Sequence, residues 1–427
     1  VVKRTKFSTK FLPLQKKIMT QAAPFKMIAQ TMFGLEEILI QELTDLGAKE
    51  IEKHNRAVGF TGDLAMMYRA NLCLRTALRI LVPIHSFEVA NEQDLYHKIK
   101  AIAWEEYLGV QDTLAINCSL NSDLFKHSQF LEQKTKDAIV DRFRELFGAR
   151  PSVELQQPTL RINLFINQAN CILSLDSSGE SLHKRGYRDK TNLAPINEVL
   201  AAGMVLLTGW DKKSNFVDPM CGSGTILIEA ALFAANIPPG SYKEYFGFEK
   251  WKNFDQQIWD TVYDEAMDKI TDNKPIILGG DISKHVARKA VINLNEANLK
   301  NKITIENCPF DELPVPEGRG ILVINPPYGE RMNQDEDING LYKNIGDTLK
   351  KKWAGYDAWI ITSNMEAAKH IHLNPKPKIK LFNGALECRF MRYELYAGTR
   401  KIPKTTETTE IKENTETNEN QMPETHK

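Results

Sequence analysis

The chain reads as an α/β protein: a doubly wound, mostly parallel sheet over residues 183–400, preceded by two smaller α+β units. Three observations carry this. Over 183–400, short apolar runs (215–217, 276–278, 303–305, 321–324, 358–362) alternate with helical stretches (192–208, 223–235, 284–298, 338–352). A helix between consecutive strands is the crossover that a parallel pairing needs. Three of the strand ends carry polar, Gly- or Pro-rich turns, which is where open α/β sheets bind their ligands. Upstream, period-two runs mixed with two long amphipathic stretches fit small α+β units.

In chain order, residues 26–32 alternate like a strand. Residues 34–47 place Leu35, Ile38, Leu39, Leu43 and Leu46 on one helical face, with Gly47 as the stop. Residues 56–61 form a second strand candidate and close a first unit, 25–65. A second unit, 66–177, has strands at 80–89 and 113–120, a helix at 128–148, and a hairpin from 159–166 and 171–175. After the α/β block, 386–395 reads as a strand following a glycine turn. Residues 1–24 are a basic extension and 401–427 a Thr/Glu/Asn-rich tail; both compositions predict disorder.

Composition excludes more than it suggests. The 427 residues carry 55 Lys and Arg against 55 Asp and Glu, so no global positive field advertises nucleic acid. The longest apolar stretch, 199–210, is too short to span a membrane. Cysteines at 73, 118, 171, 221, 308 and 388 leave no Cys-x-x-Cys pair and read as reduced thiols of a cytoplasmic protein.

The chemistry lies at the strand ends. Phe216-Val217-Asp218-Pro219-Met220-Cys221-Gly222-Ser223-Gly224-Thr225 turns a strand into a helix, its glycines letting backbone approach a ligand. It is neither G-x-G-x-x-G nor a P-loop. Asp281 ends the next strand, where a carboxylate can accept from both ribose hydroxyls. Asn325-Pro326-Pro327-Tyr328 ends a third. Prolines stiffen the turn and donate nothing, Asn325 offers an amide oxygen, and Tyr328 offers a stacking face. Together they describe a receptor for a planar amine, with acceptors for its NH₂ hydrogens.

These marks resemble the class I S-adenosylmethionine-dependent methyltransferases of exocyclic amines. Gly34-Leu35-Glu36-Glu37, Asp94-Leu95-Tyr96, Ile102-Ala103-Trp104, Lys136-Asp137-Ala138-Ile139-Val140-Asp141 and Leu182-His183-Lys184-Arg185-Gly186-Tyr187-Arg188 narrow the likeness to the THUMP-containing 23S rRNA guanine-N2 methyltransferases, over about residues 25–400. The resemblance implies a Rossmann-like methyltransferase domain (183–400) after ferredoxin-like (25–65) and THUMP (66–177) domains. It assigns Asp218, Pro219, Cys221, Gly222, Ser223 and Gly224 to the S-adenosylmethionine turn, Asp281 to the ribose and Asp311 to the adenine amino group. Arg185-Gly186-Tyr187-Arg188 and Pro195-Ile196-Asn197-Glu198, with Pro195 and Asn197 as cofactor contacts, match the segment closing over the methionine end. Asn325, Pro326, Pro327 and Tyr328 become the target-base pocket. Lys184, Arg185, Tyr187, Arg188 and Lys190 become RNA contacts, with lysines at 350–352 and at 376, 378 and 380 as further basic clusters. The implied partner is 23S rRNA or a pre-50S particle; neither metal nor membrane is implied. The second, 7-methylguanine-forming domain of some members has no counterpart in this sequence.

Two rivals stay open. Asn-Pro-Pro-Tyr also serves adenine-N6 and glutamine-amide methylation, because it reads an amine and not its carrier. A non-catalytic RNA-binding assembly factor could keep the same fold. The aromatic-rich insertion 242–263 is expected to pack onto its own domain.

Overall fold

The computed structural model describes residues 23–188, 196–327 and 337–398; the expected basic N-terminal residues and polar tail lie outside them. The first half builds β1 (Phe25–Thr31), α1 (Glu36–Asp45), β2 (Lys49–His54), β3 (Ala57–Gly62), α2 (Leu64–Cys73), β4 (Ala77–Glu88), α3 (Glu92–Lys100), β5 (Thr113–Asn121), α4 (Ser128–Phe147), β6 (Ser152–Val153), β7 (Leu160–Asn167) and β8 (Asn170–Asp176). Leu35, Leu39 and Leu43 are fully buried, as the helical spacing requires. Gly148 ends α4 in the left-handed region at φ 66°.

The two upstream units share one sheet, of order β2-β3-β1-β4-β8-β7-β5-β6. The reason is the length of β4. Its 12 residues reach from Ile28↔Leu81 on β1 to Glu88↔Asn170 on β8. A division at 65/66 falls within α2 and separates strands that belong to one continuous sheet.

The second half forms α5 (Glu198–Leu207), β9 (Asn215–Asp218), α6 (Thr225–Ala234), α7 (Gln256–Asp268), β10 (Ile277–Gly280), α8 (Lys284–Glu296), β11 (Thr304–Glu306), β12 (Gly320–Ile324), α9 (Ile338–Lys352), β13 (Tyr356–Thr362), α10 (Met365–Lys369), β14 (Lys378–Asn383) and β15 (Leu386–Glu394). The sheet order is β11-β10-β9-β12-β13-β15-β14. β9 to β13 run parallel and β15 antiparallel, so the sheet is doubly wound and mostly parallel as expected.

The two sheets dock closely. A Cβ on Gly203 of α5 would lie 2.5 Å from the Leu35 Cδ1 that precedes α1. The aromatic insertion packs, but not onto its own domain: Phe246, Phe248, Trp251 and Trp259 join the core of the N-terminal sheet. Phe248 stacks on Tyr68 at 4.3 Å, and Lys252 donates to the carbonyls of Glu105 and Leu108. Loop 235–255 and α7 thus leave the methyltransferase half to clamp the other, which covers the apolar face of α2.

Candidate active site

Parallel pairing brings the ends of β9, β10 and β12 to one edge, with Leu278 and Leu322 both level with Val217. The turn after β9 takes left-handed φ of 55° at Gly222 and 79° at Gly224, so glycine is needed at both. Neighbours pin the turn. The Cys221 N–H donates to the Gly280 carbonyl at 2.8 Å, and Asn293 Nδ2 of α8 donates to the Ser223 carbonyl at 2.9 Å. A Cβ on Gly279 would sit 2.4 Å from Leu227 Cδ1, and one on Gly280 3.0 Å from Leu313 Cδ1 and 3.2 Å from the Pro219 carbonyl, so both glycines that end β10 are closely packed.

Asp281 follows β10. Its Oδ2 accepts from Gly222 N at 3.1 Å and its Oδ1 from Ser283 N at 2.8 Å. A carboxylate offers about four lone-pair sites, so capacity remains on both oxygens for a diol. Asn307 Nδ2 holds the same loop, donating to the carbonyls of Asp281 (2.8 Å) and Ile282 (3.1 Å). Sequence reading missed Asn307 and also Ile282, which is 75% exposed beside the carboxylate. A large apolar side chain left open at a ligand-binding edge was the available signal.

Asp218 ends β9 and is 1% exposed. Its Oδ1 accepts from Met220 N at 3.2 Å, while its buried Oδ2 has no partner among the described residues. Burial first, then the negative Asp281, pushes its carboxyl up to about 8. Burial, with both aspartates, also drives the Cys221 thiol well above its ordinary range, which fits a packing role rather than a nucleophile.

The sign of a pH effect follows. A raised carboxyl pKa means the folded state keeps a proton that the unfolded chain releases near 3.8. The Asp218 contribution is complete below 3.8 and falls as pH rises to about 8, by roughly 1.4 kcal/mol per pH unit. Asp218→Asn carries no such penalty. Its stability advantage over the unmodified protein should be absent near pH 4, grow toward pH 8 and then level off. Urea titrations of the cofactor-free protein from pH 4 to 9 check this; a pH-independent difference would refute it.

At the end of β12, Asn325 is half-buried, Pro326 buried and Pro327 half-buried. The Tyr342 hydroxyl reaches the Pro327 carbonyl at 3.4 Å and Thr362 Oγ1 at 2.7 Å, tying this turn to α9 and β13. Tyr328, Pro195 and Lys190 lie outside the described residues. Asp311 is exposed, beyond β11, and its backbone carbonyl accepts from Lys352. Asn197 caps α5, its Oδ1 accepting from Val199 N (2.9 Å) and Leu200 N (3.4 Å).

The RNA-facing expectation for Arg185 and Tyr187 needs correction. Arg185 is 2% and Tyr187 1% exposed. The Arg185 guanidinium donates to the carbonyls of Arg75 (2.6 Å) and Leu182 (2.8 Å) and faces Glu229 at 3.4 Å; the Tyr187 hydroxyl donates to Glu229 at 2.9 Å. Neither has a face left for RNA. Arg188 pairs with Glu198 at 2.5 Å and donates to Thr225 Oγ1 at 3.1 Å, bracing the helix that begins at the glycine turn. Lys184 is exposed and pairs with Glu180. Of the other clusters, Lys350 pairs with Asp347 and Lys380 with Glu387.

An open left-handed glycine, Gly222, an orphaned buried carboxylate oxygen and a half-used second carboxylate fit S-adenosylmethionine. Fold and site together define a class I S-adenosylmethionine-dependent methyltransferase. Comparison with known proteins sharpens this. Residues 26–81 match the RlmL ferredoxin-like domain, 89–176 the THUMP domain, and 185–392 the RMKL-like methyltransferase domain. A Synechocystis sp. protein provisionally named an RNA methyltransferase is 40% identical over 364 residues, covering 85% of this chain and 95% of that one. The ribosomal RNA large subunit methyltransferase K/L of Syntrophotalea carbinolica is 40% identical over 384 residues, 87% of this chain but 54% of that protein. A provisionally named methyltransferase crystallised with S-adenosylhomocysteine superposes with a TM-score of 0.78 at 28% identity, over 88% of this chain and 99% of that one. The chain belongs to the THUMP-containing RMKL-like methyltransferase family, and spans about half the length of the K/L relatives it matches. All six cysteines are free in this structure.

Proposed function

We propose that this chain transfers a methyl group from S-adenosylmethionine to the exocyclic N2 of a guanine in 23S rRNA, acting in the cytoplasm on free rRNA or a pre-50S particle. The observation that carries the reading is Asn325-Pro326-Pro327 at the end of β12, on the same sheet edge as the glycine turn, in a chain that also holds a THUMP domain. When bound, the cofactor supplies an electrophilic methyl on sulfur.

The residues of this chain do the rest. Asp281 would hold the ribose, Gly222 leaves the backbone open to the cofactor, and Gly224 lets α6 start close against Ala290 of α8. The Asn325 amide oxygen and the Pro326 carbonyl would accept the two amine hydrogens, drawing the lone pair out of conjugation and into line with the methyl. Tyr328 would stack on a guanine drawn from its helix. Within 66–182, 12 basic residues stand against 14 acidic ones. RNA is therefore read by shape and local contacts, not by a broad positive field.

The test is nucleoside mass spectrometry of 23S rRNA incubated with purified chain and S-adenosylmethionine. N2-methylguanine is the expected product. N6-methyladenine instead would establish the adenine reading, and no methylated nucleoside despite cofactor binding would favour the assembly-factor reading.

A further inference from the structure

The N-terminal sheet has a covered face and, over β5, β7 and β8, a partly open one. On β7, Ile162, Leu164 and Ile166 are buried in the core, so residues 161, 163, 165 and 167 share the other face. Register carries that face across the three strands. Phe165 lies level with Ser119 on β5 and Ile172 on β8, and Asn167 lies level with Asn121 and Asn170.

One end of the face is closed. The Arg161 guanidinium is taken by Asn117 Oδ1 at 3.0 Å and by the carbonyls of Leu155 (2.7 Å) and Gln156 (3.3 Å), and Asn163 beside it is buried. From Phe165 outward the face is open: Phe165 is 40% exposed, and Ser119, Asn121, Asn167 and Asn170 are exposed around it.

The composition points to an occupant. Asparagine is depleted from strands, yet all five asparagines of β5, β7 and β8 fall on this one face. Side chains that break a local preference together are expected at functional sites. An apolar protein partner would bury these amides without giving them hydrogen bonds, which is unfavourable. A phosphate is no better suited. Arg161 is already engaged, and the charged group that register places at the open end is an acid, Glu88 of β4, level with Asn170. A base fits both features. It has a flat surface for the ring and an edge of mixed donors and acceptors, which an amide can match with either sign. Asn121 Nδ2 donates to Asn167 Oδ1 at 2.9 Å, which orients the two amides and leaves each with further hydrogen-bonding capacity.

We infer that this open sheet face, within the stretch that matches the THUMP domain, is a platform for unpaired RNA, with one base stacked on Phe165 and base edges held by Ser119 and the asparagines. The inference rests on the RNA-methylating reading above and adds the form in which RNA is held: single-stranded, and through bases. An aromatic side chain on an open sheet is a known way to hold single strands, and stacking needs no positive field.

The experiment uses the full chain and two fluorescent probes, a 12-nucleotide single-stranded RNA of mixed sequence and the same sequence as a blunt duplex, read by anisotropy over a range of salt. Phe165→Ala and Phe165→Leu should each weaken binding of the strand about tenfold or more. Phe165→Trp should retain it. The slope of log affinity against log salt should stay unchanged in all three, because no phosphate contact is lost. Duplex binding, S-adenosylmethionine affinity and melting temperature should also stay unchanged. The inference is overturned by full affinity for the strand in Phe165→Ala, by Phe165→Leu binding as well as Phe165→Trp, or by equal losses for strand and duplex. A self-association that Phe165→Ala abolishes while RNA binding persists would overturn it too, making the face a contact between copies. The methylation assay keeps the two readings apart. N2-methylguanine formed by a Phe165→Ala protein that binds the strand normally removes the platform and leaves the function. A tenfold loss for the strand in a chain that methylates no nucleoside does the reverse.

Discussion

Asn325→Ala should lower kcat by about 10²–10³-fold while leaving S-adenosylmethionine affinity within a few-fold of the unmodified protein. The magnitude is that of removing one preorganised hydrogen-bonding group from a reacting centre. The split between kcat and binding follows from position. Asn325 extends β12, whereas the cofactor turn hangs from β9 and β10 through Cys221, Gly280, Asn293 and Asp281. The stiff Pro326-Pro327 pair and its Tyr342–Thr362 support remain in the variant, so the turn keeps its shape. Single-turnover methylation together with cofactor titration checks both halves. A variant that methylates at the normal rate would remove Asn325 from the amine pocket.

Arg185→Met should destabilise the protein by about 3–5 kcal/mol and leave the salt dependence of RNA binding unchanged. Removing one partner of a buried pair strands the other charge. Of its hydrogen-bond donors Glu229 would keep only the Tyr187 hydroxyl, with Oε2 already lacking a partner among the described residues and the buried Arg75 as its remaining positive neighbour. The Arg75 carbonyl would also lose its 2.6 Å donor, loosening a contact between the two halves. Denaturant titration measures the first effect. Plotting log affinity against log salt measures the second, because a lost phosphate contact lowers the slope by about one. An Arg185→Met protein of normal stability with a reduced slope would restore the RNA-facing reading.

Much of the methyltransferase half was legible because its signals are local. Helix α9 lies where the apolar spacing put it, 338–352, and the strand ends bearing Asp218, Asp281 and Asn325 are at one edge, as alternation requires. What escaped notice lacked a local signal. Helix α2 is buried on nearly every side, so it shows no polar face and no period. Strand β2 is the reverse: an outer strand of charged, exposed residues, Lys49, Glu50, Glu52 and Lys53, with no apolar alternation. The error over Arg185 is instructive. Arginine beside lysine suggests a wet surface, and the partner that buries it lies 44 residues away. Glu229 could have warned of this. It is the one charged residue in the apolar run of α6, and an acid in such a helix demands a cation or donors from elsewhere.

The long strand β4 also bears on how the chain is made. Its partners Thr31 and Ile28 are in hand soon after it leaves the ribosome, but those on its other edge, Asn170 to Asp176, are synthesised some 80–100 residues later. At typical elongation rates of about 5–20 residues per second that is an interval of several seconds. Throughout it, one side of β4, with Leu81, Val82 and Phe87, offers an unpaired template to any neighbouring nascent chain. Slowing translation between residues 90 and 170 should therefore raise the fraction lost to aggregation, whereas slowing it after residue 176 should not.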